Sequence, residues 1–278
     1  MNYPDHVRDI LRCPRCGSAL NGLNCVNCGA TYIMLKDNMA SFMPENSPEL
    51  EELYKIKKRM SVMINNQFSH EMIKFTASEL YGRKGIFLDV GCGTGYYSSE
   101  IMKRLGSGVK FVGIDVDTNF DPEVDSGNYF FIQADYLKNP FKPGSFDAIM
   151  NFDVIEHFED DGAFIDTTVK LLKKGGCFII GTPNGDRLPV KLHEIIHGRR
   201  KFPFSYGKDI ILGEILHVRE YTRKDIEKLM ESFLDRVEYR IVPMLLGSRI
   251  GNNMIGIKYP KGFLGNYCYY WWIIGRKK

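Results

Sequence analysis

The sequence of 278 residues has no long hydrophobic run. Its strongest apolar stretch near the end, Tyr267 to Ile274, is far shorter than the about 20 residues that a membrane-spanning helix needs. The first residues, Met1 to His6, are polar and lack the apolar segment of a secretory signal peptide. We therefore expect no transmembrane segment and a cytoplasmic location.

The sequence also lacks a marked excess of charge of either sign. Its 37 Lys and Arg residues nearly balance its 34 Asp and Glu residues, which leaves a formal net charge of +3 at pH 7. The overall charge therefore provides no reason to expect nucleic acid as a partner, and local basic clusters would have to support such a function. A hydrophobic share of 44% is sufficient for a core of ordinary size.

Cysteine is sparse outside the first forty residues. Four of the seven cysteines lie in two pairs, Cys13-Pro-Arg-Cys16 and Cys25-Val-Asn-Cys28. Each pair forms a tight turn that directs two sulfurs to one point, and two such turns provide the four thiolates of a tetrahedral zinc site. A short segment needs this support because it can bury little apolar surface. We predict a zinc ribbon over residues 1–45, with a structural zinc ion on these four cysteines; whether the ribbon contacts a substrate stays open.

Residues 46–81 show helical patterns without catalytic chemistry. Ser47-Pro48 and the acidic residues that follow are typical of a helix N-terminus. A second helix is predicted from about Gln67 to Tyr81. We interpret both as linker helices that pack on the main domain, residues 82–278, or cover its cleft.

A glycine-rich loop opens the main domain. Ile86 to Val90 is a short apolar run that predicts a buried strand, and Tyr96 to Leu105 predicts a helix that ends at Gly106. The glycines between them let the backbone approach a ligand closely. The next predicted strand, Val109 to Ile114, ends in Asp115, where a carboxylate can bond both ribose hydroxyls of a nucleoside.

The loop departs from the dinucleotide fingerprint G-x-G-x-x-G, which seats a diphosphate on the helix N-terminus. Its third glycine comes one residue early, and Tyr96 occupies the sixth position. Asp89 would face a diphosphate poorly, whereas it suits the cationic amino group of a methionine moiety, contacted through water. The pattern therefore favours S-adenosylmethionine over a nicotinamide cofactor.

With these motifs, residues 86–182 resemble a class I S-adenosylmethionine-dependent methyltransferase, and are most similar to the large family that includes the quinone-biosynthesis O-methyltransferases. Five segments occur in that family's order and spacing, which makes the resemblance specific. They are Asp89 to Gly95, Gly113 to Asp117, Phe131 to Asp135, Ser145 to His157 and Leu171 to Pro183.

The resemblance implies an α/β fold: a Rossmann-like, seven-stranded, mostly parallel sheet with a reversed last strand. Arg236 to Leu246 and Tyr267 to Gly275 fit its last two strands, and Thr222-Arg-Lys-Asp225 begins the helix that precedes these strands with a capping-box-like pattern. In the family the residue at Asp135 bonds the adenine amino group, and the residue at Asn151, with Phe152, lines the cleft. The full set expected to contact the cofactor is Asp89, Gly91, Cys92, Gly93, Gly95, Asp115, Val116, Ala134, Asp135 and Asn151.

His157 is the candidate catalytic residue, because methylation of a hydroxyl requires removal of a proton near the cleft. The alternative, that Glu156-His157 only caps the following turn, stays open. Some quinone O-methyltransferases of this family coordinate a divalent cation in this segment, so Asp153, Glu156 and His157 are also candidates for a second metal site.

His193-Glu-Ile-Ile-His197 matches the zinc-protease pattern H-E-x-x-H. It lacks a third histidine at the usual spacing, and it falls in residues 183–220, where such methyltransferases carry a variable substrate-selecting insertion. We therefore expect these histidines to face the substrate pocket or solvent. The insertion also contains a basic and aromatic stretch from His197 to Tyr206, which suits a phosphate, a carboxylate or a nucleic-acid strand, or is a solvated loop.

These observations predict a methyltransferase that acts on a small-molecule, lipid or glycan acceptor, with transfer to oxygen favoured over nitrogen. An alternative is a ribosomal or transfer RNA methyltransferase that uses the zinc ribbon to bind RNA. Residues 147–157 lack the Asn/Asp-Pro-Pro-Tyr/Phe motif of base-amino methylation, although not every RNA enzyme carries it. A third hypothesis, a non-catalytic scaffold, is disfavoured by the intact glycine loop and Asp115. The acceptor and the oligomeric state are not determined by the sequence.

Overall fold

A twisted sheet, mostly parallel, organises the chain in the computed structural model. The structure describes residues 3–43, 67–116, 120, 127–209, 213–231, 236–242, 247–250, 253–256, 267–268 and 270–277. The helix predicted directly after Ser47 lies outside these residues. Within the described ranges, no helix has the length and apolar character needed to cross a bilayer.

The strands are β1 Leu20–Asn21, β2 Asn24–Cys25, β3 Ile33–Lys36, β4 Met39–Ser41, β5 Gly85–Val90, β6 Val109–Asp115, β7 Tyr129–Gln133, β8 Phe146–Phe152, β9 Leu172–Pro183, β10 Phe204–Asp209, β11 Gly213–His217, β12 Arg236–Val242, β13 Gly247–Ile250, β14 Asn253–Gly256 and β15 Tyr270–Arg276. The α-helices are α1 Asp5–Arg8, α2 Gln67–Leu80, α3 Tyr96–Leu105, α4 Asp161–Leu171, α5 Leu188–His197 and α6 Arg223–Glu231. Short 3-10 helices span Tyr136–Lys138 and Ile155–His157.

The main sheet has nine strands among the described residues, in the order β12-β15-β9-β8-β5-β6-β7-β4-β3. Strands β9, β8, β5, β6 and β7 pair in parallel, whereas β15 runs antiparallel to both of its neighbours. The first seven strands of this order therefore form the mostly parallel sheet with a reversed last strand that the resemblance implied, and that prediction is confirmed.

The N-terminal segment extends the same sheet at its other edge. Met39–Ser41 pairs in parallel with Phe131–Gln133, and β3 pairs antiparallel with β4. A parallel edge strand such as β7 presents unpaired backbone groups, and the added hairpin satisfies them. The cysteine-rich ribbon is thus joined to the main domain by backbone hydrogen bonds.

Both faces of the sheet are buried, as is usual for parallel sheets. Leu88, Val90 and Val112 belong to one apolar cluster, which also contains residues of α4 and α6. Phe87 and Phe111 belong to the opposite cluster, which contains residues of α2 and α3. Because successive residues of a strand point to opposite faces, the near-continuous apolar strands have side chains in both clusters.

Several local predictions hold at the residue level. Helix α3 spans Tyr96–Leu105, with Gly95 before it and Gly106 at its C-cap in a positive-φ conformation. At the start of α6, Asp225 N donates to Thr222 Oγ1 at 3.3 Å, and the Asp225 carboxylate accepts from Thr222 N at 3.2 Å. This reciprocal pair is the predicted capping box.

Candidate functional site

The glycine loop lies at the carboxyl end of β5, beside the carboxyl end of β6. Gly91, Gly93 and Gly95 have φ values of 67°, 51° and 78°. The backbone N–H of Gly93 donates to Asp115 Oδ2 at 2.9 Å, and the Asp115 side chain is buried. The sequence therefore places a conformationally demanding loop and a carboxylate side by side, at the edge where parallel sheets bind their ligands.

Two of these glycines are needed for different reasons. A Cβ on Gly91 would lie 2.4 Å from Val154 Cγ2, so the loop packs too closely on the segment after β8 for a side chain. A Cβ on Gly93 would have no heavy atom within 4 Å among the described residues, so its backbone borders open space. Positive φ disfavours other residues at both positions. Gly93 is where a ligand can approach the backbone.

Asp89 lies beneath the loop rather than at its surface. It is buried, and its Oδ2 accepts a hydrogen bond from Ser98 Oγ at 2.6 Å. Ser98 Oγ in turn lies 2.8 Å from the hydroxyl of Tyr129. Burial raises the pKa of Asp89 to about 7, with a further rise from the charge of Asp115 and a partial offset from the Ser98 hydrogen bond. The carboxylate is thus poised to change charge near neutral pH.

Residues at the carboxyl end of β7 continue the site. Ala134 N donates to the Asp115 carbonyl oxygen at 2.9 Å, and Gln133 Nε2 donates to the Val116 carbonyl oxygen at 3.1 Å. Asp135 caps the following 3-10 helix, because its Oδ1 accepts from Leu137 N at 2.9 Å. The structure therefore brings together the segments that contain Asp115, Val116, Ala134 and Asp135.

Asn151, at the end of β8, has a side-chain amide that lacks hydrogen-bond partners among the described residues. The residue is fully buried, and neither atom of its side-chain amide has a hydrogen-bond partner among the described residues. An unsatisfied buried polar group costs about 1–3 kcal/mol. A polar ligand group that bonds this amide would remove that cost. Together with the glycine cradle and Asp115, this residue set fits S-adenosylmethionine.

The segment after β8 contains the candidate catalytic residues. Asp153 has a φ of 54°, which is unusual for a residue other than glycine, and its side chain is exposed to solvent. Protein atoms around the carboxyl desolvate it and raise its pKa to about 6, with a partial offset from the hydroxyl of Tyr270. His157 is exposed, at the end of the 3-10 helix Ile155–His157.

Glu156 is fully buried beside His157. Its Oε2 accepts from Thr182 Oγ1 at 3.0 Å, whereas its Oε1 is buried without a hydrogen-bond partner among the described residues. Burial, followed by the charge of Asp153, raises the pKa of Glu156 well above its ordinary value. The burial thus favours the neutral form of the Glu156 carboxyl.

The structure adds His217 to this group. Ligand atoms of Glu156, His157 and His217 lie within 4.8 Å of one another, and the two imidazole rings meet edge to face at 5.1 Å between centroids. This cluster differs from the metal set suggested by the sequence, because it contains His217 in place of Asp153. Its geometry is compatible with one bound divalent cation as well as with a metal-free pair of imidazoles.

A buried ionic network holds His217 in place. Glu220 Oε1 lies 3.1 Å from His217 Nδ1, and the Glu220 carboxylate also accepts two bonds from Arg187, at 2.6 and 3.0 Å, and one from Arg200 at 2.9 Å. The side chains of Arg187, Arg200 and Glu220 are 7%, 5% and 0% exposed. Three positions of the insertion 183–220 are therefore tied to one carboxylate at the cleft.

Arg219 and Tyr221 are directed away from this network. Arg219 Nη1 and the Tyr221 hydroxyl both donate to Asp161 Oδ2, at 2.6 and 3.1 Å. These bonds fasten the segment after β11 to the first turn of α4. The signal in the sequence that could have indicated the His217–Glu220 pair is a histidine and an acid three residues apart.

The H-E-x-x-H motif forms no metal cluster among the described residues. His193 and His197 are exposed on α5 with ring centroids 4.6 Å apart. Glu194 is directed to Lys191, at 3.7 Å, and to Arg200, at 3.6 Å. No third ligand joins the two histidines in the part of the chain that the structure describes.

The four N-terminal cysteines come together as predicted. Their sulfurs lie within 4.8 Å of one another, with 3.7 Å between Cys13 Sγ and Cys28 Sγ and 3.4 Å between Cys16 Sγ and Cys25 Sγ. A tetrahedral ion with bonds of about 2.3 Å requires sulfurs about 3.8 Å apart. Hydrogen bonds from Ser18 lower the pKa of Cys16 to about 6, so a thiolate is available at neutral pH. The residue set fits zinc.

Comparisons with known proteins agree with this geometry. Residues 88–180 match a family described as a methyltransferase domain. Over 106 residues the chain is 40% identical to a ubiquinone biosynthesis O-methyltransferase of Pelagibacter ubique, which covers 35% of this chain and 41% of that protein. Over 155 residues it is 27% identical to a "probable S-adenosylmethionine-dependent methyltransferase" of Mycolicibacterium smegmatis, covering 52% of this chain and 49% of that protein.

A solved structure shows the same fold over most of the chain. The 1,6-didemethyltoxoflavin-N1-methyltransferase of Burkholderia thailandensis, with bound 1,6-didemethyltoxoflavin and S-adenosylhomocysteine, superimposes with a TM-score of 0.51. It covers 91% of this chain and 97% of its own at 13% identity, so the likeness concerns the fold alone. The chain spans less than half the length of the two curated relatives above. Residues 88–180 are thus similar in sequence to a methyltransferase domain, and the chain shares the fold of such a protein.

Proposed function

We propose that this chain transfers the methyl group of S-adenosylmethionine to an oxygen of a small-molecule, lipid or glycan acceptor. The observation that carries the proposal is the hydrogen bond between Gly93 and the Asp115 carboxylate. It links the glycine loop to the acid at the end of the neighbouring strand, as a nucleoside site requires. The relatives named above support a small acceptor, since one of them acts in ubiquinone biosynthesis.

In this proposal the residues that would hold the cofactor lie at the carboxyl ends of four strands, β5, β6, β7 and β8. Asp115 accepts from the ribose hydroxyls, and Val116, Ala134 and Asp135 border the adenine. Gly91, Cys92, Gly93 and Gly95 approach the cofactor with their backbone, while Asp89 stabilises the cationic amino group from below. The buried amide of Asn151 bonds the methionine moiety. Each role suits the chemistry of the residue, and the orphaned Asn151 amide supports a polar ligand there.

The bound sulfonium supplies an activated methyl group, because a neutral thioether is the leaving group. The protein's task is therefore to align the acceptor oxygen with the methyl group and the sulfur, which is worth up to about 7–11 kcal/mol in favourable cases. An acceptor hydroxyl must also lose its proton as the new carbon–oxygen bond forms. His157 is the proposed base that takes this proton, and His217 lies beside it.

The four cysteines are proposed to hold a structural zinc ion. All four positions of a tetrahedral site are then occupied by thiolates, so this ion has no place for a substrate. The ribbon lies beyond β7, whereas His157 follows β8. Four strand spacings of about 4.8 Å separate β4 from β8, or roughly 19 Å. We therefore assign the ribbon a structural role and place the acceptor at the Glu156–His157 end of the site.

A methyl-transfer screen tests the proposal. The full chain is incubated with S-adenosylmethionine labelled in the methyl group and with cell extract separated into RNA, lipid, protein and small-molecule fractions. We expect label in the lipid or small-molecule fraction, and loss of this transfer in Asp115→Ala but not in the surface variant Asp166→Ala. Label in the RNA fraction would instead support the RNA methyltransferase, and label in no fraction would refute the proposed activity.

A further inference from the structure

Helix α5 exposes an apolar face that nothing in the described structure covers. Leu192, Ile195 and Ile196 are 50%, 80% and 74% exposed, and Phe202, shortly after the helix, is 40% exposed. Positions i, i+3 and i+4 lie on one side of a helix, so the three aliphatic side chains form one stripe. Single exposed apolar residues are ordinary, but this stretch holds four of the nine large ones exposed among the described residues.

The charges around this stripe are cationic. Arg199 and Lys201 are exposed, and between residues 187 and 204, all of which the structure describes, no carboxylate is exposed. The acid of this stretch, Glu194, is paired with Lys191 and Arg200 instead. An apolar stripe bordered by cations is the composition of helices that lie in the surface of an anionic bilayer.

This charge pattern decides between the occupants that such a stripe can have. In a twofold contact with a second copy, each patch faces itself, so Arg199 and Lys201 would be brought toward their own equivalents. Like charges at an interface are unfavourable. Anionic lipid headgroups complement the same two cations, and the acyl region accepts the aliphatic side chains. No membrane-spanning helix is required for this mode of binding.

The stripe belongs to the same insertion that borders the cleft. Arg200, three residues after α5, reaches back to Glu220, which holds His217 beside His157. Arg200 is also placed over the rings of Phe202 and Phe204, at 5.5 and 5.2 Å. The exposed segment is therefore anchored to the catalytic end of the site, and a surface that binds α5 lies close to the acceptor.

We propose that α5 and Phe202 dock this protein on an anionic lipid surface. Docking there presents the Glu156–His157 end of the site to molecules held at that surface. The consequence for the acceptor rests on the proposed function, whereas docking itself requires only the surface chemistry of residues 188–203.

Vesicle flotation tests the docking. The full chain is mixed with vesicles of phosphatidylcholine alone or of phosphatidylcholine with phosphatidylglycerol. We expect binding to the mixed vesicles only, weakened by salt because headgroup attraction is screened. The double variant Ile195→Asp/Ile196→Asp should bind at least about tenfold more weakly. Tyr81→Asp is the matched control, since Tyr81 is 77% exposed after α2, and it should bind like the wild type.

Removal of the cations separates the two contributions. Arg199→Gln/Lys201→Gln should lose the preference for phosphatidylglycerol. Failure of the wild type to float with either vesicle, or equal flotation of the wild type and the aspartate double variant, would overturn the proposal. So would a dimer in light scattering that the aspartate variant abolishes, because the face would then belong to a second copy.

Affinity for S-adenosylmethionine, measured without vesicles, keeps the two proposals apart. Equal affinity in every variant shows that the cofactor site is folded, so a loss of flotation reports on the surface. Flotation without methyl transfer to any fraction would refute the proposed function and leave the docking intact. Methyl transfer without flotation would refute the docking and leave the proposed function intact.

Discussion

Phe42 donates its backbone N–H to the carbonyl oxygen of Gln133 at 2.8 Å, which fastens the cysteine-rich ribbon to the main sheet. The ring of Tyr32 packs on that of Phe42 with 4.7 Å between centroids, and the Tyr32 hydroxyl lies 3.2 Å from Cys13 Sγ. Gln133 in turn bonds the Val116 carbonyl oxygen beside Asp115. A continuous set of contacts thus connects the four cysteines to the cofactor side of the sheet.

Loss of zinc should therefore reduce the protection of β7 against hydrogen exchange. We expect Cys25→Ser to abolish zinc binding, and the amide protons of Phe131 and Gln133, which face β4, to exchange at least ~10-fold faster, because the neighbouring hairpin would no longer cover them. Zinc analysis and hydrogen–deuterium exchange measure both effects. Val26→Ser, at a position 66% exposed, is the control and should leave both unchanged. Unaltered protection of β7 in a zinc-free protein would contradict this coupling.

Asp89 predicts a pH dependence of cofactor binding. Its pKa is about 7 in the free protein, and a cation bound nearby favours the ionised form and lowers that pKa. Affinity for S-adenosylmethionine should then rise with pH, by up to ~10-fold per unit below the free-state pKa, and level off above it. Calorimetry in buffers of different ionisation enthalpy should detect release of a proton. If the affinity of the wild type did not change with pH below pH 7, this prediction would be wrong. The control variant Asp89→Asn should show such a flat profile.

Substitution of His157 should lower the turnover rate and leave the affinity for the cofactor unchanged. We expect His157→Ala to lower kcat by ~10²–10⁴-fold, the usual contribution of a positioned base, with unchanged affinity for S-adenosylmethionine. His193→Ala, exposed on α5, is the control and should retain activity. Inactivation of the wild type by a chelator that leaves the ribbon zinc in place would assign Glu156, His157 and His217 to a divalent cation instead.

Substitution of Glu220 should lower the stability of the folded protein. Its carboxylate is fully buried between Arg187 and Arg200, so Glu220→Ala leaves two buried guanidinium groups without their counter-charge. The free energy of unfolding should fall by about 3–5 kcal/mol, as measured by denaturant titration. Glu100→Ala removes the partly exposed pairs with Lys103 and Arg104 and should cost less than ~1 kcal/mol. Similar losses in the two variants would show that the buried network is not special.

Local features of the main domain could be predicted from the sequence. The limits of α3 follow from Gly95 and Gly106, which provide backbone conformations that other residues avoid. The capping box at Thr222 follows from a pattern of four residues. The proximity of the glycine loop and Asp115 also follows, because two apolar strands that end in such residues place them at the same sheet edge.

The partners of the catalytic segment could not be predicted in this way. His217 lies 60 positions after His157, and its ring meets that of His157 only because the insertion folds back over the cleft. Glu220 is likewise joined to Arg187 across 33 positions. No periodicity or short motif encodes contacts at such separations, so the sequence suggested Asp153 as a metal ligand where the structure has His217.

The sequence by itself determined single strands of the main sheet, the glycine loop after β5 and the two cysteine pairs, because each depends on residues that are neighbours along the chain. The parallel arrangement of the strands was implied by the family resemblance. Only the tertiary structure decided that the ribbon continues the main sheet through β4 and β7, and that Glu220 supports His217 at the cleft. Strand pairing at a sheet edge and a buried ion network depend on which surfaces meet, and the order of residues does not specify that meeting locally.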